Sequence, residues 1–261
     1  NVVVAVNVNL EYVKLKSSDG SIYYFAKDNL EYQRLEKQFS DKKQWLDGVP
    51  KLKTISQIFK EHGGYEIIGS VSGADLVGLE YIGPFDDLEA QNKAGGYPFV
   101  NESLEKESVT SVSQHKVIDP GKDKIGNDIV VSGEGTGIVH IAPSFGADDA
   151  RVAKAAGIGS LTLVNHQGKF TEEMGEFANK FVKNEYYDDG QAPDKSVDVE
   201  IAIKLKEENK AFKVEKYVHS YPHCWRTDKP VLYYPLDSWF VKTTALKDRL
   251  IELNKTINWK P

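Results

Sequence analysis

Cysteine is almost missing: Cys224 stands alone in 261 residues, so no internal disulfide can form and a small disulfide-stapled secreted scaffold is excluded. Methionine is equally scarce, with Met174 alone, and position 1 is Asn, as expected of a piece cut from a longer chain. No stretch approaches the ~18 uninterrupted apolar residues that cross a bilayer. The first fifteen residues, NVVVAVNVNLEYVKL, carry neither a basic leader nor a small-residue cleavage pattern, so they do not read as a signal peptide. Internal repeats and low-complexity tracts are lacking too. These absences predict a reducing, cytoplasmic setting and no membrane partner. What is present is ordinary for a folded protein: 40% hydrophobic and 28% charged residues, which argues against disorder and against a collagen-like repeat. The length suits one large domain, or one domain with an appendage, and buries a sizeable core.

The net charge of −6 is unevenly placed. From residue 200 onward twelve Lys and Arg face eight Asp and Glu, while the preceding residues hold twenty-one against thirty-one. An acidic body with a basic C-terminal quarter either presents that quarter to a polyanion or simply carries a solvated basic helix face, and charge alone does not choose. The strongly basic footprint of a stand-alone nucleic-acid binder is not there.

Apolar periodicity predicts strand over residues 2–15, a turn at Ser17–Gly20 and a second strand over 21–26, so the chain opens as a hairpin. Helices are predicted over 30–39 and over 54–62, the latter with Thr54 as N-cap and Gly63-Gly64 as its stop. Tyr65 to Val71 reads as strand, 101–127 as a polar surface excursion, and 129–131, 138–142 and 161–164 as further strands. A helix fits 148–156, closed by Gly157. Residues 197–209 read as an amphipathic helix with Val199, Ile203 and Leu205 inward. Strands follow at 212–218 and 231–234, then a helix over 244–255 with Leu246, Leu250 and Leu253 on one face. Strands dominate early and do not alternate regularly with helices, which argues against a doubly wound sheet. The expected fold is α+β: a mixed, mostly antiparallel, barrel-like core with peripheral helices. The expected division is a core over 1–200 and a C-terminal part over 201–261.

The segment from Gly133 to Asp149, GEGTGIVHIAPSFGADD, holds most of the candidate chemistry. Its alternating glycines lead into a strand and do not open a helix, so a dinucleotide loop does not fit. A phosphate loop with Gly-Lys-Ser/Thr is absent, as is the G-x-S-x-G elbow of serine hydrolases. The plain reading of Gly133, Gly135 and Gly137 is a tight turn, whose exposed backbone N–H groups also let a ligand approach. His140 in a strand reads either as a packing residue or as an adaptable hydrogen-bonding ring in a pocket. Asp148 and Asp149 fall in the first turn of a helix, where negative charge suits the macrodipole. That explanation suffices for Asp148, whereas Asp149 beside the strand end carrying His140 makes an anionic anchor. His219, His223 and Cys224 resemble an incomplete zinc set, but Pro222 breaks helical spacing and a fourth ligand is missing. A bulky turn packing Tyr221 and Trp225 into the core is the preferred reading there, and neither metal nor cofactor is expected.

The string GTGIVHIAPSFGADD closely resembles the editing-domain motif of isoleucyl-tRNA synthetases, a domain inserted into a class I catalytic fold. The likeness runs along almost the whole chain: GADLVGLEYIGPF (73–85), VNHQGKF (164–170, with Asn165 where Asp is common), HSYPHCWRTDKPV, LDSWFVKTT and LKDRLIELNKTINWKP. The wording SFGADDARVA resembles the eukaryote-type branch, which also occurs in some bacteria. The resemblance implies hydrolysis of valine wrongly esterified to the 3′ end of isoleucine transfer RNA. It implies that Asp149 binds the substrate's α-ammonium, that His140 discriminates its side chain, and that Gly135, Thr136 and Gly137 shape the wall beside the terminal adenosine. Ser144, Phe145 and Asp148 are placed with the substrate-binding set. Two partners are implied: the valine-bearing acceptor end of tRNA(Ile) and the remainder of a parent synthetase. The family's threonine-rich segment, which lines the pocket, and its activation signatures, His-x-Gly-His and Lys-Met-Ser-Lys-Ser, are not in this chain. A non-hydrolytic tRNA-docking module is therefore the competing expectation.

Overall fold

The computed structural model describes residues 2–32, 53–92, 110–133, 135–215, 221–236 and 238–259. The opening apolar run is two strands in two different sheets. β1 (Val3–Val6) ends where Asn7 makes a local turn, its side-chain oxygen accepting from Asn9 N at 2.9 Å. β2 (Glu11–Ser17) then pairs with β3 (Ile22–Ala26) across the Ser17–Gly20 turn and, on its other side, with β4 (Tyr65–Ser72), both antiparallel. The second sheet has the order β5-β1-β6, with β5 (Val117–Ile118) parallel to β1 and β6 (Ile138–Ile141) antiparallel to it.

The fold is thus α+β with mostly antiparallel pairing, but the barrel-like expectation is corrected: each sheet has three strands, and among the described residues neither closes on itself. Strands expected over 129–131, 161–164, 212–215 and 231–234 do not form; Val164 makes only an isolated bridge to Phe170. The polar 110–127 stretch is more than a surface excursion, since it contributes β5 and the buried His115. The rest of the helix expected over 30–39, and of the strand over 212–218, falls outside the described residues.

α1 (Ile55–Glu61) begins with a complete capping box: Thr54 Oγ1 accepts from Gln57 N at 3.1 Å and Gln57 Oε1 from Thr54 N at 2.9 Å. Its Ile55 and Phe59 pack on Val13, Leu15 and Phe25 of the first sheet, with Phe212 closing the cluster 4.8 Å from Phe59, ring to ring. α2 (Ala147–Ala156) lays Val152 and Ala153 on Val3, Ala5 and Ile141 of the second sheet and stops at Gly157, whose φ of 67° is left-handed. Between the sheets sits wholly buried Tyr12, whose hydroxyl accepts from Asn7 N at 3.0 Å and donates to Gly137 O at 2.7 Å. α3 (Val197–Glu207) buries Val197 and rests Ile201 near Met174 and Phe177; Val199, expected inward, is exposed. α4 (Lys247–Lys255) keeps Leu250 and Leu253 exposed, and Leu246 just before it likewise. No helix among the described residues is long and apolar enough to cross a membrane.

Candidate functional site

β6 is an edge strand, and His140 lies opposite Val4 in the ladder, with Ile141 turned to the buried α2 side. Past the strand, Ala142 N has no partner strand, and its hydrogen is taken by Asp149 Oδ1 at 3.0 Å. Phe145 N donates back to Ala142 O at 2.9 Å, so Ala142 to Gly146 forms a tight connection into α2. Asp149 is therefore held at both levels, by the first turn of α2 and by the strand end, and is half-buried.

The His140 residue as a whole is exposed, yet the protein around its ring pushes its pKa below the ordinary histidine value. The Asp149 carboxylate pulls in the opposite direction. The His140 ring and a carboxylate fixed on Ala142 N therefore lie toward the C-terminal end of β6.

The other candidates separate in space. Gly135, Thr136 and Gly137 lie at the start of β6, roughly 13 Å of strand from Ala142. They act as a clasp on the first sheet: Thr136 O accepts from Ala26 N at 2.9 Å, Gly135 O from Asn29 Nδ2 at 3.2 Å, and Asn29 Oδ1 from Gly133 N at 2.6 Å. A Cβ on Gly137 would come 2.3 Å from Ala26 Cβ, and its φ is 77°, so close approach and backbone conformation both demand glycine. The Thr136 hydroxyl is engaged with Ile138 in its own turn, while Gly135 and Thr136 are exposed on the outer rim.

Ser144 is buried, donating to Leu161 O and accepting from Thr162 Oγ1, both at 3.0 Å. Phe145 packs edge-on to Tyr234 at 6.2 Å. Asp148 is exposed and 3.5 Å from Arg151 Nε, and Arg151 keeps Nε and Nη2 buried without a hydrogen bond. Two further residues belong to this neighbourhood without having stood out in the sequence. Arg151 is one; Gly146, the N-cap of α2, is the other. The signal for Gly146 was in plain view, a glycine three residues before the acid in a helix start.

The Tyr221–Arg226 turn does not pack inward: Trp225 is 85% exposed and Tyr221 is exposed as well, which corrects the buried-turn expectation. Cys224 is half-buried, its thiol pKa lowered chiefly by a hydrogen bond with the Thr227 side chain. Among the described residues no three His, Cys, Asp or Glu side chains gather as a metal site, and His219 lies outside them. Part of the basic charge after residue 200 is neutralised within the chain: Lys204 sits 2.9 Å from Glu176 and 2.6 Å from Glu208, and Lys210 lies 2.8 Å from Glu208. Cavities of about 240 and 110 Å³ open near Lys27 and Lys122, around the Asn7–Leu10 turn and away from Asp149.

No family model matches the chain. Curated relatives do. An isoleucine–tRNA ligase of Cytophaga hutchinsonii is 44% identical over 281 aligned positions, covering 100% of this chain and 22% of its own length. One of Bacteroides fragilis is 45% identical over 76% of this chain and 17% of its own. An isoleucine–tRNA ligase 2 of Bacillus anthracis is 33% identical over 100% of this chain and 19% of its own. The chain therefore corresponds to a segment of isoleucine–tRNA ligases and spans about a fifth of the length of the relatives it matches.

Proposed function

We propose that this segment is the editing unit of an isoleucine–tRNA ligase and hydrolyses valine wrongly attached to tRNA(Ile). The observation that carries the reading is the Asp149 carboxylate, fixed by Ala142 N at the end of the strand that presents His140. A mischarged valyl ester bears one cation, its α-ammonium, and a tethered carboxylate both selects that charge and orients the ester carbonyl. His140, on that strand, contacts the side chain and limits its size. Water then attacks the carbonyl carbon, the ester C–O bond breaks, and valine leaves the 3′-terminal ribose hydroxyl. None of the site's side chains is placed as a covalent nucleophile.

Chemistry of discrimination explains why such a site is needed. One methylene in an apolar pocket is worth about 1–3 kcal/mol, a general figure for which isoleucine against valine on this very synthetase is the standard example and not a value obtained from this chain. A second, smaller pocket removes what the first admits. Gly135 to Gly137 enter this proposal as the clasp that fixes β6, with their exposed rim turned to the terminal nucleotide. Ser144 and Phe145 support the loop, and Asp148 borders it. Residues 1–200 form the editing core and 201–261 lead back to the catalytic body, a cytoplasmic enzyme whose partner is the acceptor end of tRNA(Ile). The wording around Ser144–Ala153 supports the branch shared by eukaryotes and some bacteria.

Deacylation of Val-tRNA(Ile) by the parent ligase tests the reading. Wild type should release valine while Asp149→Ala, still able to charge isoleucine, should not. A ligase that binds the acceptor end through this segment yet never hydrolyses the ester would make the segment a docking module.

A further inference from the structure

The Asp149 carboxylate occupies space that only a glycine leaves open. An ideal Cβ built on Gly146 would lie 2.1 Å from Asp149 Oδ2, 3.0 Å from its Cγ and 3.3 Å from its Cβ. Gly146 has φ −153°, extended backbone that any residue adopts, so conformation does not require glycine there. Nor does capping: Gly146 makes no side-chain cap, and serine or aspartate is the stronger N-cap residue. What remains is the room itself. The carboxylate folds back over Gly146 so that Oδ1 reaches Ala142 N, leaving Oδ2 against the bare Cα.

We infer that Gly146 is a positioning residue for Asp149: its missing side chain lets the carboxylate lie across the strand–helix connection, where Oδ1 locks to Ala142 N. Its consequence for catalysis rests on the editing function proposed for this segment. The colliding atom is the free end of a flexible side chain. Gly146→Ala should therefore still fold, with a Tm lowered by no more than in Asp149→Ala plus the weaker cap that alanine makes, and swing the carboxylate off Ala142 by a χ1 change.

Two measurements separate the structural claim from the catalytic one. In amide NMR of the chain, Gly146→Ala and Asp149→Ala should each move the Ala142 amide proton upfield by a similar amount. Gly146→Ala should add no further shift in the Asp149→Ala background, where the collision is gone. An Ala142 amide unmoved by Gly146→Ala overturns the positioning role. In the parent ligase, Gly146→Ala should cut kcat for Val-tRNA(Ile) deacylation at least tenfold and leave isoleucylation intact, and the double variant should be no slower than Asp149→Ala. If the amide shifts appear but neither variant slows deacylation, positioning stands and the editing assignment of Asp149 falls.

Discussion

Tyr12, Leu15 and Phe59 are sealed between the first sheet, α1 and the Gly137 clasp, whereas Trp239, Phe240 and Val241 stand 102%, 89% and 75% exposed, with half-exposed Leu246, Leu250 and Leu253 close behind. Both regions are rich in large apolar residues. In the first, strand pairing and a capped helix bring the apolar faces together within the chain. In the second, Leu246, Leu250 and Leu253 have the right spacing for one face of a helix, and the described structure gives neither that face nor Trp239 to Val241 anything to lie on. Apolar pattern thus marks which residues need cover, and only tertiary contact shows where the cover is. Within the proposed function, the catalytic body of the ligase is the cover.

The sharpest way to break this comparison is to truncate one residue from each region. Phe59→Ala should destabilise the chain by about 3–5 kcal/mol in urea unfolding, as burial in a packed aromatic cluster dictates. Trp239→Ala should fall within about 0.5 kcal/mol in the same assay. Equal costs would erase the distinction. The comparison sharpens when Phe240→Ala is placed in the parent ligase: there it should cost about 1.5–3 kcal/mol, the worth of a buried phenylalanine, against almost nothing in the chain alone. Asn29→Ala should cost about 1–3 kcal/mol, because it leaves Gly133 N and Gly135 O without their partner in the clasp.

The smallest effect is electrostatic. His140 has a pKa below the ordinary histidine value through the protein packed around it, and Asp149 raises it. An NMR titration should find its midpoint below about 6.5. Asp149→Asn, which removes the raising charge, should move it lower still. The sign for stability follows: the unfolded chain takes up this proton first, so the contribution is complete above about pH 6.5 and fades as pH falls toward the folded midpoint. A midpoint that rises in Asp149→Asn would separate the two groups.

Much of the local structure around the candidate site was legible in the residues. The β6–α2 unit, its Gly157 stop and the placing of Asp149 in the first turn of the helix all follow from local chemistry. The two-sheet division did not, because Asn7 sits inside an unbroken valine-rich run. Its side chain ends the strand through Asn9 N and by donating to Val130 O at 2.8 Å, 123 residues away. Strands expected at 161–164 and 231–234 failed for want of a partner to pair with, since β propensity expresses itself only against a neighbour. That Ala26 and Asn29 hold the glycine turn was not legible either, because those contacts join residues more than a hundred positions apart.

The most direct measurement is a crystal structure of the parent ligase with a non-hydrolysable valyl-adenosine analogue. The account predicts its ammonium within salt-bridge distance of Asp149 Oδ2 and its isopropyl group against His140. An analogue seated elsewhere, with Asp149 still folded over Gly146 and touching no ligand, would contradict it.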